Sequence, residues 1–202
     1  MPPRFIARHL ARPTGWLGGV VAQLMNWNNG KPNLFAVQQL QLSSTDRVLE
    51  IGFGGGIILP VLLESAEFVC GVDHSPDAVK RAKARFAKAV QAGRADFREG
   101  SIDALPCGTA AFNKVCTANT VYFWKSLDAG FSEIYRVLKP GGLATVEFLP
   151  KEHMDRGNFP ADIFTSRAPE EVIAALTKAG FKDIRVERAT PATRWNVLVA
   201  IR

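Results

Sequence analysis

The chain has 202 residues, of which 47% are hydrophobic and 22% are charged, and its formal net charge is +6. These values fit a single folded α/β domain and exclude a disordered or collagen-like chain. No apolar run approaches the roughly 20 residues that a membrane-spanning helix needs, so the sequence predicts no transmembrane segment.

The cysteine content favours a reducing compartment. Cys70, Cys107 and Cys116 are odd in number, and no two of them have the Cys-x-x-Cys spacing. Disulfide frameworks use even sets of cysteines, and structural zinc sites use closely spaced pairs. We therefore expect a cytoplasmic protein with neither a disulfide framework nor a metal site.

Positive charge is concentrated at the start of the chain. Arg4, Arg8, Arg12 and Lys31 precede Asp46, which is the first acidic residue. The spacing of four would place the three arginines on one face of a helix. Three interpretations stay open: a solvated arm or lid, a contact with an anionic substrate or membrane surface, and an organelle transit peptide.

Strands and helices alternate along most of the chain. Residues 1–30 have an irregular pattern that fits two short helices interrupted at Pro13 and Gly15. The following pattern predicts, in chain order, a helix opened by Pro32, a strand over 47–51, a helix over 57–65, a strand over 68–72, a helix from Ser75 to Gly93, strands over 96–99 and 112–118, a helix over 126–138, a strand over 143–148, an irregular stretch, a helix over 169–179, and strands over 184–188 and 196–201.

This order predicts the fold class. Alternating strands and helices form a parallel sheet with helices on both faces, and the two final strands, with no helix between them, should pair antiparallel. We expect a Rossmann-like, doubly wound α/β fold with seven strands, mostly parallel, with an antiparallel C-terminal strand. Its ligand should bind beyond the carboxyl ends of the strands, where the strand order reverses.

A glycine-rich segment follows the first predicted strand. Gly52, Gly54 and Gly56 form a Gly-x-Gly-x-Gly pattern after Glu50, whereas the dinucleotide fingerprint would need a glycine at Ile57. No Gly-Lys-Ser/Thr follows, which excludes a phosphate-cradling P-loop. An acid ahead of the loop suits a cationic ligand better than a pyrophosphate.

Several motifs in order resemble the class I S-adenosylmethionine-dependent methyltransferases, in particular their quinone-biosynthesis and small-molecule branch. They are the segment 50–56, an acid ending the second strand at Asp73, and the segments 99–106, 112–115 and 138–142. The resemblance covers the chain from about residue 40 onward. It implies a methyltransferase domain over 33–202, preceded by a helical lid or arm over 1–32, and S-adenosyl-L-methionine as the cofactor.

The resemblance also implies a set of cofactor-binding residues. Glu50 would organise the methionine end, the glycine-loop backbone would approach it, and Asp73 would hold the ribose, with Ser75 beside the adenosine. The full set is Glu50, Gly52, Phe53, Gly54, Gly56, Asp73, His74, Ser101, Ile102, Asp103 and Asn119. The family often has aspartate where this chain has Ser101, so Asp103 or the Ile102 backbone would replace that contact with the adenine.

Tyr122 and His153 are the candidate catalytic residues, because they follow the fourth and fifth strands, which should face the methyl group. His153 could act as a general base, although an exposed loop histidine is the alternative. Tyr122 and Trp124 would line an aromatic pocket, or Phe123 and Trp124 belong to the core. Asn119 and Tyr122 also have the spacing of an Asn-Pro-Pro-Tyr motif without its prolines.

The predicted activity is methylation of a small, partly hydrophobic or aromatic molecule. Apolar residues that could contact such an acceptor are Trp16, Met25, Trp27, Phe159 and Phe164. The alternatives are an RNA methyltransferase that uses the basic arm for phosphates, a non-catalytic cofactor-binding module and an NAD dehydrogenase. The short chain leaves little room for a nucleic-acid domain, so a small molecule is the expected partner, and a peripheral membrane contact stays open.

Overall fold

The computed structural model describes residues 31–157 and 159–202. Residues 1–30 of the predicted arm, with its arginines, Trp16, Met25 and Trp27, lie outside the described residues. Residues 31–39 form a helix, α1. In chain order the following elements are β1 (Arg47–Ile51), α2 (Leu59–Ser65), β2 (Phe68–Asp73), α3 (Pro76–Arg85), α4 (Ala87–Gln91), β3 (Ala95–Glu99), β4 (Phe112–Ala118), a 3₁₀ turn (Val121–Phe123), α5 (Leu127–Val137), β5 (Leu138–Phe148), α6 (Lys151–Arg156), α7 (Pro169–Ala179), β6 (Lys182–Glu187) and β7 (Asn196–Ile201).

The seven strands form one sheet in the order β3-β2-β1-β4-β5-β7-β6. The pairs among β1 to β5 are parallel, and β7 runs antiparallel to both β5 and β6. The predicted Rossmann-like fold and its antiparallel C-terminal pair are therefore confirmed. From β1 the chain adds β2 and β3 on one side and then returns to add β4 on the other side of β1. The strand order therefore reverses between β1 and β4.

Helices cover both faces of the sheet. On one face α5 and α7 bury apolar side chains such as Phe131, Ile134 and Leu176 against Leu49 and Val146. On the other face α1, α2 and α3 contribute a second buried cluster, which includes Leu40, Leu59, Leu62, Val79 and Ala82. The helical and strand periods of the sequence explain this division, because alternate strand residues enter opposite clusters. No helix in the described part of the chain is long and apolar enough to cross a membrane.

The predicted helix from Ser75 to Gly93 is wrong in one respect. The helix ends at Arg85, and a second short helix begins at Ala87. Phe86 leaves the helical conformation with φ −109° and ψ 28°. Its ring packs on Phe97 of β3, with 5.8 Å between the ring centroids. A tertiary contact thus accompanies a break that the helical period does not reveal.

The start of β5 and the stretch after it also differ from prediction, and other boundaries such as those of α2 and β6 are shifted by one or two residues. β5 begins at Leu138 rather than at residue 143, because Leu138 pairs with Phe112 and the intervening residues form an irregularity in the strand. Gly141 there has φ 74°, and its N–H donates to the carbonyl of Arg202 at 2.9 Å. The stretch after β5, predicted to be irregular, contains the six-residue helix α6. So short a helix carries too few turns for its period to be read from the sequence.

Candidate functional site

The segment 52–56, called the glycine loop below, follows β1 at the carboxyl edge of the sheet. Gly52, Gly54 and Gly56 have φ angles of 72°, 50° and 64°, in the left-handed region that favours glycine. A Cβ on Gly52 would lie 2.4 Å from Cγ2 of Thr120, so this glycine allows the loop to pack against the segment after β4. A Cβ on Gly54 would meet no atom of the described residues within 4 Å. Thr120 therefore packs against the loop at Gly52, whereas at Gly54 there is space for a ligand to approach the backbone.

Asp73, at the end of β2, connects three segments of this edge. Its Oδ2 accepts a hydrogen bond from the N–H of Gly54 at 2.7 Å, and its Oδ1 accepts one from the N–H of Ser75 at 2.8 Å. Its carbonyl accepts a third from the N–H of Gly100 at 3.0 Å. Each carboxylate oxygen keeps a further lone pair, so the side chain can still accept from a ligand hydroxyl.

Glu50 is a buried acid that has no counterion among the described residues. Burial, reinforced by the negative charge of Asp73, raises the pKa of Glu50 to about 8. Its Oε2 is buried and has no hydrogen-bond partner among the described residues. A buried carboxylate in this state is stabilised by a cation or a hydrogen-bond donor. Together with the open space at Gly54, it fits S-adenosylmethionine, whose methionine end carries an ammonium group.

The residues predicted to contact the adenosine lie around the turn after β3. His74 is exposed over 48% of its side chain, with Nδ1 3.6 Å from Oδ1 of Asp73. Ser101 Oγ accepts a hydrogen bond from the N–H of Asp103 at 3.4 Å, which forms a tight turn. Ile102 is partly buried against the core. The bond between Gly100 and Asp73 brings this turn beside the end of β2.

Phe53 lies in the glycine loop, but its ring belongs to the core. The ring centroid is 5.7 Å from that of Phe97, and the ring occupies the space beside Gly71. A contact between Phe53 and a cofactor would therefore come from its backbone.

A group of polar residues on β4, β5 and α1, called the polar cluster below, consists of Asn33, Asn119 and Glu147. Asn119 follows β4 with φ 57°, an uncommon conformation for a residue with a side chain. Its backbone N–H donates to the carbonyl of Glu147 at 2.9 Å. Its Nδ2 donates to Oε2 of Glu147 at 2.7 Å and to Oδ1 of Asn33 at 3.3 Å. The post-β4 segment is thereby fixed to β5 and to the helix above it.

Sequence reasoning missed Glu147. Its carboxyl is 0% exposed, and burial raises the pKa well above the usual range of a glutamic acid. Its Oε1 has no hydrogen-bond partner among the described residues. A lone acid in the otherwise apolar strand Leu143–Phe148 was the available signal, because buried charged residues are rare without a partner.

Tyr122 is buried, and its hydroxyl group both donates and accepts a hydrogen bond. The hydroxyl accepts a hydrogen bond from the N–H of Leu149 and donates to Oδ1 of Asn119 at 3.3 Å. Burial raises the pKa of Tyr122 well above its usual range, so the phenolate is disfavoured near neutral pH. The predicted catalytic role for Tyr122 therefore does not suit its environment, whereas a positioning role for Asn119 does.

The neighbouring aromatic residues divide between core and surface. Trp124 is buried and packs on Phe131, with 5.1 Å between ring centroids. Phe123 is partly buried and lies 5.0 Å from Phe164, which itself packs on Phe159. Trp124 thus belongs to the core, and Phe123 belongs to an aromatic group beside Tyr122.

His153 lies on α6 with its side chain 23% exposed. Its recorded side-chain contact joins Nε2 to Oε1 of the neighbouring Glu152 at 3.3 Å. The described contacts therefore give His153 no link to the polar cluster. This placement corresponds to the surface histidine that was the alternative to a general base.

Cys116 lies within β4, opposite Glu50 of β1. Burial, together with the negative charge of Glu50, raises its thiol pKa well above the ordinary value. The thiolate is therefore disfavoured, and Cys116 is part of the buried core.

A comparison with known protein families matches residues 49–146 to a model described as a methyltransferase domain. The matched segment runs from β1 into β5 and contains the glycine loop, Asp73 and Asn119. It therefore covers the carboxyl-edge residues described above, apart from α1 and Glu147.

Two curated relatives have related names. The chain is 29% identical over 173 residues to the "Uncharacterized methyltransferase YdaC" of Bacillus subtilis, covering 83% of this chain and 89% of that protein. It is 30% identical over 149 residues to a "2-methyl-6-phytyl-1,4-hydroquinone methyltransferase 2, chloroplastic" of Oryza sativa subsp. japonica. That match covers 72% of this chain but only 41% of the rice protein.

A solved structure has the same fold. The phosphoethanolamine N-methyltransferase 2 of Haemonchus contortus, in complex with S-adenosyl-L-methionine, superimposes with a TM-score of 0.73 at 20% sequence identity. The superposition covers 91% of this chain and 57% of the other.

Proposed function

We propose that this chain, which belongs to the class I S-adenosylmethionine-dependent methyltransferases, transfers the methyl group to a small, partly hydrophobic or aromatic molecule. One observation carries the proposal: the glycine loop opens at Gly54 between two buried acids, Glu50 and Asp73. The aromatic group of Phe123, Phe159 and Phe164 supports an apolar acceptor. The similarity to a hydroquinone methyltransferase supports it as well.

S-adenosylmethionine, when bound, supplies a methyl group that is activated by the adjacent sulfonium. In our proposal Glu50 holds its ammonium group, and the backbone at Gly54 lies against its methionine end. Asp73 accepts hydrogen bonds from its ribose, while Ser101, Ile102 and Asp103 surround the adenine. His74 and the Phe53 backbone complete the contacts.

In our proposal the residues after β4 and β5 orient the methyl acceptor and exclude water. Direct displacement needs the nucleophile and the methyl carbon held in line in a site that excludes water. Asn119, fixed by its bonds to Glu147 and Tyr122, gives the segment after β4 a single conformation. The partly buried aromatic rings exclude water beside it. The chain thus contributes mainly orientation and desolvation.

The acceptor class can be tested directly. The full-length protein should convert S-adenosylmethionine to S-adenosylhomocysteine when incubated with a panel of phenols, hydroquinones, amines and thiols of low molecular weight. Structured RNA is the comparison substrate. Methylation of RNA alone would contradict the small-molecule proposal, and tight cofactor binding without any turnover would favour a binding module.

Cofactor binding should release a proton. In the free protein Glu50, with a pKa of about 8, is mostly protonated at neutral pH, and a bound ammonium group favours its ionised form. The affinity for S-adenosylhomocysteine should therefore rise with pH, by up to about tenfold per pH unit below pH 8, and then level off. Calorimetric titration in buffers of different ionisation enthalpy measures the released proton.

Glu50→Gln is the matched control for this prediction. The amide cannot ionise, so both the proton release and the rise of affinity with pH should disappear. The same variant tests the effect on folding. Because the folded pKa of Glu50 lies above its unfolded value of 4.5, wild-type stability should fall as the pH rises from about 4.5 to about 8. An unchanged proton count in Glu50→Gln would contradict the role of Glu50.

A further inference from the structure

Glu147 occupies a position that the cofactor contacts proposed above do not use. It lies at the carboxyl end of β5, where Ala118 of β4 is its neighbour in the sheet. Thr120, two residues beyond Ala118, reaches the glycine loop, because its methyl group fills the space beside Gly52. The polar cluster is thus separated from the glycine loop by one short segment. A nucleophile that approaches a methyl group near Gly54 would come from this side.

The carboxyl of Glu147 has one oxygen engaged and one without a partner. Oε2 accepts the 2.7 Å hydrogen bond from Asn119, and Oε1 is buried with no partner among the described residues. An unsatisfied buried oxygen costs free energy, so it indicates a group that is completed by a ligand. At the start of the described part of α1, Asn33 accepts a 3.3 Å hydrogen bond from Asn119. A ligand that enters the polar cluster from this side would displace this weak contact.

Charged groups around Glu147 are few. Tyr122 is the titratable side chain that interacts with it in the described part of the chain, and Tyr122 is neutral near pH 7. Asn119 and Asn33 carry no charge. Among the described residues no cation interacts with the carboxyl, and burial keeps its pKa well above the usual range. An ionised carboxylate whose pKa is raised is a stronger base than an ordinary glutamate.

We propose that Glu147 contacts the hydroxyl group of the methyl acceptor and accepts its proton during transfer, an inference that rests on the proposed methyltransferase function. The O–H bond breaks, and its proton moves to Oε1 of Glu147. The oxygen lone pair forms a bond to the methyl carbon as the carbon–sulfur bond breaks, and that electron pair stays on sulfur. The products are a methyl ether and S-adenosylhomocysteine, and Glu147 then loses the proton to solvent.

The chemistry favours a hydroxyl acceptor over other nucleophiles. Thiols ionise near pH 8.5 without help, whereas a phenolic hydroxyl with a pKa of about 10 stays protonated and is a weak nucleophile. A base is therefore most useful for hydroxyl groups. The aromatic group of Phe123, Phe159 and Phe164 lies on the same side, next to Tyr122. The inferred substrate class is a hydroxyl-bearing molecule with an apolar or aromatic skeleton.

Glu147→Gln tests this role with little change of shape. The glutamine oxygen can still accept the bond from Asn119, but it cannot take a proton. With the phenol and hydroquinone arm of the panel, kcat should fall by about a hundredfold or more. In wild-type protein kcat should rise with pH, because Glu147 accepts a proton only when it is ionised, and this rise should be absent in Glu147→Gln. The affinity for S-adenosylhomocysteine should change less than threefold.

Thr145→Val is the control for a change in this part of the core. Thr145 is buried on the same face of β5, two residues before Glu147, and valine has nearly its shape. It should leave kcat within about twofold. A fall in cofactor affinity as large as the fall in kcat in Glu147→Gln would mean that Glu147 is only structural, and would overturn the proposal.

The outcomes separate this inference from the proposed function. Methylation of amines or thiols with no methylation of hydroxyl compounds would overturn the inference and leave the methyltransferase function intact. Binding of para-nitrophenol in the presence of S-adenosylhomocysteine, followed by visible absorbance, needs no turnover. Glu147→Gln should weaken it at least tenfold, and equal affinity in the two proteins would overturn the inference even if no acceptor of the panel were methylated.

Discussion

Asp73→Ala should weaken the binding of S-adenosylhomocysteine by about a hundredfold or more and should also lower the stability of the fold. The carboxylate accepts hydrogen bonds from the N–H groups of Gly54 and Ser75, so its removal leaves both donors without their partner. Hydrogen bonds to charged groups contribute about 1.5–3 kcal/mol each. We therefore expect the free energy of unfolding to fall by about 3 kcal/mol. The loss of the ribose contacts accounts for the lower affinity. Calorimetric titration and denaturant unfolding measure the two effects.

Asp46→Ala separates the two effects. Asp46 is also a buried acid that accepts a backbone hydrogen bond, from the N–H of Ser43 at 2.8 Å, but it precedes β1 at the opposite edge of the sheet. Its replacement should reduce stability and leave the affinity for S-adenosylhomocysteine unchanged. If Asp73→Ala reduced affinity no more than Asp46→Ala does, the assignment of Asp73 to the ribose would be wrong.

Gly54→Ala should abolish cofactor binding while the protein stays folded. A Cβ at this position meets no atom of residues 31–157 or 159–202 within 4 Å, so the methyl group would project into the space that we assign to the cofactor. The φ of 50° adds a strain of about 1–2 kcal/mol for an alanine. We expect the affinity for S-adenosylhomocysteine to fall at least a hundredfold, with a thermal shift of only a few degrees. Titration calorimetry and thermal unfolding distinguish these expectations.

Gly93→Ala carries the same strain away from the site. Gly93 follows α4 with φ 69°, and in the described part of the chain a Cβ there also meets nothing within 4 Å. Its replacement should cost about as much stability as Gly54→Ala and leave cofactor affinity unchanged. Tight binding in Gly54→Ala would show that the cofactor does not approach the backbone at that glycine.

Much of the fold could be predicted because local signals and the tertiary structure agree. Four elements have the predicted bounds: β1, β4, α7 and β7. Each is indicated by its own residues, because the strands are apolar and the helix ends at a glycine. Gly180, with φ 102°, ends α7 as expected. The glycine loop and Asp73 were also visible, because their spacing along the chain reflects the strand-turn-helix geometry.

The remaining features depend on contacts between distant residues. The break at Phe86 is tied to Phe97, and the early start of β5 depends on Phe112 and on the last residue, Arg202. The polar cluster joins three elements, so the acid in β5 could be noticed in the sequence but its bond to Asn119 and its unpaired oxygen could not. Tyr122 was predicted to be catalytic from its place after β4, and the sequence did not indicate its burial or its hydrogen bonds to Asn119 and Leu149.

Tyr122 connects three segments that are distant from one another in the chain. Its hydroxyl bonds to Leu149 after β5 and to Asn119 after β4, and its carbonyl accepts the N–H of Thr165 at 2.9 Å. A redesign of the protein for another acceptor should therefore treat the three segments together. A segment taken alone from a relative would have to fit the existing Tyr122, whereas all three segments taken together with their tyrosine would keep these contacts matched.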